Sequence, residues 1–234
     1  MLENLPGYVS TIFTLTTFLT VGFLLYAVRQ TVFETIPAKI LIFLLAFWLM
    51  LQAILSLGGF YLNTSSVPPR LFAAAVLPAL FLIILYFIFF RQSFIELLPL
   101  KILTLLHVVR IPVEIVLFWL FQEKLIPQEM TFEGRNFDIL AGITAPIIYY
   151  FAFHSGKTRR TLLIIWNVFA LLLLFNIVIT AFLAFPSPIQ QIAFDQPNRA
   201  VMYFPFIWLP AVIVPIVLFS HLASLWKLLK NSLR

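Results

Sequence analysis

Seven apolar runs follow one another along this chain, at about 8–28, 40–60, 71–90, 101–122, 137–153, 161–184 and 201–226. Most approach the ~20 residues an α-helix needs to cross the ~30 Å hydrocarbon core of a bilayer. In lipid every backbone N–H and C=O must be satisfied within the chain, so runs of this length dictate helices. The expected fold is all-α: a polytopic integral membrane protein, a bundle of seven transmembrane helices. The connecting segments are too short to fold separately, so residues 1–234 are expected to form one transmembrane domain. Composition excludes a water-soluble enzyme, because 62% of residues are hydrophobic and 10% charged, against about 25% charged in soluble domains. Cysteine is absent, which rules out disulfides and thiolate metal sites.

Loop charges set the expected orientation. Arg29, Lys39, Arg91, Lys101, Lys157, Arg159, Arg160, Lys227, Lys230 and Arg234 fall on one side of the bundle. The other side holds Arg70, Lys124, Arg135 and Arg199. Positive charge gathers in the cytoplasm, so the N-terminus is placed outside and the C-terminus inside. The net charge of +6 is thereby explained by topology, without a nucleic-acid partner. The opening MLENLPGYVS carries Glu3 and no basic residue, so the first run is read as a retained helix rather than a secretory signal. The expected location is the plasma (bacterial inner) membrane.

The fourth run is unlike the others. In TLLHVVRIPVEIVLFWL, Thr104, His107, Arg110 and Glu114 recur at three or four residues and share one helix face. Counted from Lys101, His107 lies about 9 Å deep, Arg110 near 13 Å and Glu114 near 20 Å. A charge at mid-membrane costs about 2.5–3.5 kcal/mol on translocon scales, so partners or a function must offset it. Arg110 and Glu114 either neutralise each other as helix glue or serve a site; the general rule for intramembrane ionisable groups favours the site. Pro112 lies between them and has no N–H, which frees the carbonyl of Val108.

Other polar residues are graded by where they stand. Gln52 reads as an interhelical hydrogen bond. Of Asn167 and Asn176 in the sixth run, Asn176 is the better placed in depth to share a cavity with Glu114. Outside, Glu133, Arg135, Asn136 and Asp138 precede the fifth run, with Asp195 and Arg199 in the last outer loop. They are either capping and loop chemistry or the lining of an outer vestibule above Glu114. Arg135 with Asp195, and Glu133 with Arg199, are candidate pairs. Pro205, Pro210 and Pro215 cannot share one face, so the seventh helix is expected to be bent or partly unwound.

Known seven-helix families share topology with this chain but not its chemistry. Microbial rhodopsins carry a lysine midway along the last helix, where this sequence has Val212-Ile213-Val214-Pro215. Zinc-dependent seven-helix hydrolases pair two histidines four apart, whereas His221 stands alone. Ile111-Pro112-Val113-Glu114 resembles the Pro-Ile-Glu-Glu run of small lycopene cyclases, with Ile115 in place of the second acid.

The functional expectation is a polar cavity near mid-membrane that binds, and translocates or senses, a small molecule or proton. Its ligand-binding set is His107, Arg110, Glu114 and Asn176. Arg110 would meet an anionic group or hold Glu114 ionised, Glu114 would titrate or accept a cation, and His107 would relay protons toward the cytoplasm. No cofactor belongs to this reading. The alternative is a membrane-embedded enzyme or redox protein in which His107 and His221 hold haem, or these two with His154 hold a metal.

Overall fold

In the computed structural model, which describes residues 5–154 and 158–230, every regular element is helical and no strand occurs among the described residues. Lys157 and Arg234, which entered the charge count, and Glu3, which entered the reading of the first run, lie outside the described residues. Among the described residues, six helical spans are long and apolar enough to cross a membrane. They are α1 (Gly7–Thr31), α2 (Ile36–Leu57), a π-helical turn at Phe72–Val76 continuing into α3 (Leu77–Phe89), α4 (Leu100–Leu106) with α5 (Arg110–Gln122), α7 (Arg160–Leu183), and a π-helical turn at Leu209–Ile213 continuing into α8 (Val214–Lys230). The fifth apolar run forms a shorter helix, α6 (Ile139–Phe153). Its 15 residues span about 22 Å, less than the ~30 Å apolar core of a bilayer.

The α4–α5 and α8 spans are largely buried and form the centre; α2 and α3 show most of their apolar side chains to the surroundings. Phe43, Phe47, Met50 and Ile54 on α2 are all exposed, as suits lipid contact. The face of α2 that turns inward has a definite task. Pro78 has no N–H for the carbonyl four residues back, Ala74, and Gln52 Nε2 donates to that oxygen at 3.0 Å. Pro215 likewise gives nothing to Ala211, whose carbonyl accepts from Trp48 Nε1 at 2.9 Å. Trp48 and Gln52 are one turn apart on α2, so one face serves both proline-freed carbonyls. Gln52 also accepts from the Tyr61 hydroxyl, whose burial pushes it up to about 12 and keeps it a donor.

The seventh run departs from its expected start at 201. Residues 203–207 make turns, and the span begins at Leu209. Pro205 and Pro210 withhold the donors a continuous helix would need there, as the proline spacing anticipates. In the fourth run the proline effect is gentler: His107–Val109 tighten into a 3-10 turn between α4 and α5.

Candidate functional site

The α4–α5 junction carries the buried ionisable groups. Arg110, Glu114 and His107 are all almost fully buried, and the pairing differs from the simplest one. Arg110 turns to Asp138, with Nε 3.0 Å from Oδ2, a Coulombic contact off the line of an aligned hydrogen bond. Its two terminal nitrogens both donate to the carbonyl of Ala170 on α7 at 3.2 Å. Glu114 Oε2 instead accepts from Asn136 Nδ2 at 2.6 Å. Asn136 ties the two acids together, because its Oδ1 accepts from the Asp138 N–H at 3.0 Å while Nδ2 also reaches Met130 O. One guanidinium therefore faces two carboxyls.

A backbone close approach makes this possible. Gly142 sits one turn into α6, and a Cβ there would lie 2.9 Å from Ile111 Cγ1, 3.0 Å from Ile111 N and 3.2 Å from Arg110 Cβ. The bare backbone of α6 thus rests on the α4–α5 junction and brings Asp138, at its N-cap position, to the level of Arg110. The helix dipole favours a carboxylate at that terminus. Arg110 is midway along the α4–α5 span, so α6 starts deep within the bundle and the segment before it descends to meet it. The opposite end of α6 packs Ala152 with Leu163 and Leu228, near Leu100. Gly134 belongs to the descending segment, where a Cβ would overlap Gln128 O at 2.2 Å; it serves loop packing.

Arg110, Glu114 and Asp138 line a cavity of about 660 Å³, within the ~300–1,000 Å³ common for ligand pockets. Its remaining wall is apolar except for Asn198, drawn from α5, α7, both π-helical turns and the 67–71 segment. Phe72 and Val76 come from one π-helical turn, Leu209, Pro210 and Ile213 from the other. π-bulges recur at functional sites. Two acceptors at the cavity, Asp138 Oδ1 and Asn198 Oδ1, are buried without a hydrogen-bond partner.

A second polar centre lies one turn from Arg110. The rings of His107 and His221 stack at 3.9 Å and 19°, and Trp166 and His107 meet in a T-shaped contact at 5.3 Å. Asn167 Oδ1 meets His221 Nδ1 at 2.9 Å. Both ring nitrogens of His107 and Nε2 of His221 are buried without partners. The third histidine is elsewhere: His154 is exposed and stacks on Tyr150. Among the described residues no three His, Asp or Glu side chains converge as metal ligands.

The expected site residues divide accordingly. His107, Arg110 and Glu114 share one buried face, and Asn136 and Asp138, expected at an outer vestibule, belong to the buried cluster itself. Asn176 lies apart, exposed, with Nδ2 on Arg135 O at 2.7 Å. Glu133, Arg135, Asp195 and Arg199 are exposed and absent from the cavity wall. Neither expected cross-pair is among the ion pairs of the described residues. Asn198, a polar residue of the last outer loop that was not among the expected site residues, also lines the cavity; its place in a proline-rich loop gave no signal of depth.

The model of a protein family described as "Domain of unknown function (DUF8737)" matches residues 68–229. No curated protein and no solved structure matches the chain.

Proposed function

Because the chain belongs to that family of unknown function, its description supplies no chemistry, and we propose from the geometry that this is a binding protein of the membrane interior. A small molecule occupies the cavity with its polar end at Glu114, Asp138 and Arg110, and is translocated or sensed together with a proton. The observation that carries this reading is three ionisable side chains lining one space whose wall is otherwise apolar apart from Asn198; intramembrane charges are functional by default. One cation against two acids leaves the cluster either net negative or holding a proton, which suits proton-linked binding. His107 and His221, with unpartnered nitrogens one turn away, extend the polar line. The chain crosses the plasma membrane seven times with the N-terminus outside, the α6 crossing being completed by the segment that precedes it. A short helix starting at mid-depth beside a site is the arrangement of broken transporter helices.

Native mass spectrometry of protein released from its host membrane tests the proposal. Wild type should carry a small-molecule adduct that Glu114→Gln loses. The glutamine carbonyl still accepts from Asn136, so thermal stability should be unchanged. Bare wild-type protein, or an adduct indifferent to Glu114→Gln, would overturn the reading. The haem or metal alternative rests on the free nitrogens of the His107–His221 stack. Nearly parallel stacked rings do not aim their lone pairs at one ion; a Soret band or stoichiometric metal in purified protein would favour it nonetheless.

A further inference from the structure

The wall of the cavity is not closed. Val67 and Pro68, in the loop before α3, line it and are exposed; Leu77, Ile179 and Phe182 also line it and are exposed to the surroundings, so a mouth lies between α3 and the distal half of α7. The latter three are large and apolar, and all belong to membrane-spanning segments. Phe72 bridges the gap above them, its ring 4.8 Å from Phe182 and 5.4 Å from Phe185. A water-soluble solute meets no polar group at such an opening, whereas an acyl chain meets the surface it already prefers.

The inner end has the opposite character, and its chemistry is specific. The guanidinium of Arg110 is already committed to Asp138 and to Ala170 O. Asp138 Oδ1 and Asn198 Oδ1 are buried acceptors without donors, and Asn136 engages a single oxygen of Glu114. An incoming head group therefore finds unfilled acceptors and two acids against one already committed cation, a setting that suits a hydrogen-bond donor better than an anion.

Resting on the binding reading above, we propose that the occupant is a bilayer-dissolved amphiphile, one apolar chain ending in a hydroxyl or ammonium. It slides in sideways between α3 and α7, seats its donating head at Asp138 and Glu114, and leaves its tail along the π-helical turns.

The test uses full-length protein in lipid nanodiscs doped with a diazirine-bearing hexadecanol, photolysed and mapped by peptide mass spectrometry. Adducts are expected at the mouth, Leu77 and Ile179, and inside, at Val113 and Leu117. Hexadecanol or hexadecylamine should suppress the interior adducts, whereas hexadecyl sulfate should leave them intact. Whichever of the two suppressors works at lower concentration identifies the head as hydroxyl or ammonium; suppression by the sulfate alone would overturn the donor assignment. Ile179→Trp narrows the mouth from the lipid side without touching the core. It should reduce interior adducts to near background while a short, water-soluble diazirine alcohol still labels Val113. Interior labelling by the short alcohol but never by the long one would overturn the lipid route and leave the binding reading standing. Labelling of Val113 by neither would overturn both.

Discussion

A guanidinium near the centre of a bilayer survives only with partners, and Arg110 has a carboxylate and a carbonyl, both from other helices. Removing one member of a buried ion pair strands the other, at about 3–5 kcal/mol, whereas replacing the whole pair by apolar side chains is often nearly neutral. Asp138→Ala should therefore destabilise the detergent-solubilised protein by about 3–5 kcal/mol in denaturant titration. Combining it with Arg110→Met should recover most of that loss. A double variant as unstable as the single one would show that the pair is not what holds α6 in place. The sequence made Arg110, Glu114 and His107 legible because charges inside an apolar run demand partners or a function. It hid the partnership: Asp138 follows Arg110 by a whole loop, and an ion pair four residues away looked the simpler match. Asn176 shows the reverse error, since matching depth says nothing about which face a side chain takes.

Among the elements, prolines and one glycine fix more than the apolar pattern does. The carbonyls that Pro78 and Pro215 leave free find donors on α2, a helix that otherwise faces lipid. Trp48→Phe removes the donor to Ala211 O; an unsatisfied buried carbonyl costs about 1–3 kcal/mol. Restoring an N–H with Pro215→Ala in the same chain should offset part of that loss, a coupling readable in a double-mutant cycle of thermal denaturation. Strict additivity would refute the assignment. Gly142 gives a second check. A methyl there meets the backbone nitrogen of Ile111, which cannot swing aside, so Gly142→Ala should cost about 1–3 kcal/mol as overpacking does. It should also loosen the Arg110–Asp138 contact. Proline spacing announced the broken start of the last span. The close approach at Gly142 was invisible, because a glycine in a helix marks contact without saying with what.

At the scale of the molecule, the six spans of full length and one short helix among the described residues pose a question of counting. If α6 and the segment before it together make a crossing, the loops at 63–70, 123–135 and 185–199 share one side. Arg29, Arg91 and Lys230 then lie on the other, and the charge imbalance puts that second side in the cytoplasm. If α6 merely dips into the bundle and returns, α7 and α8 exchange their ends and the basic C-terminal segment moves outside, against the positive-inside rule. Contacts argue for the crossing: the far end of α6 reaches Leu100 and Leu228, and Lys227 donates to Leu98 O while Lys230 pairs with Glu96. These contacts hold the C-terminal part of α8 at the level where α4 begins. The native absence of cysteine makes the test clean. In intact cells a membrane-impermeant maleimide should label Asp195→Cys and Glu133→Cys, and label Arg91→Cys and Leu229→Cys after permeabilisation alone. Labelling of Leu229→Cys from outside, with Arg91→Cys still protected, would mean an even number of crossings. The half-length helix would then be a re-entrant hairpin rather than the inner half of a span.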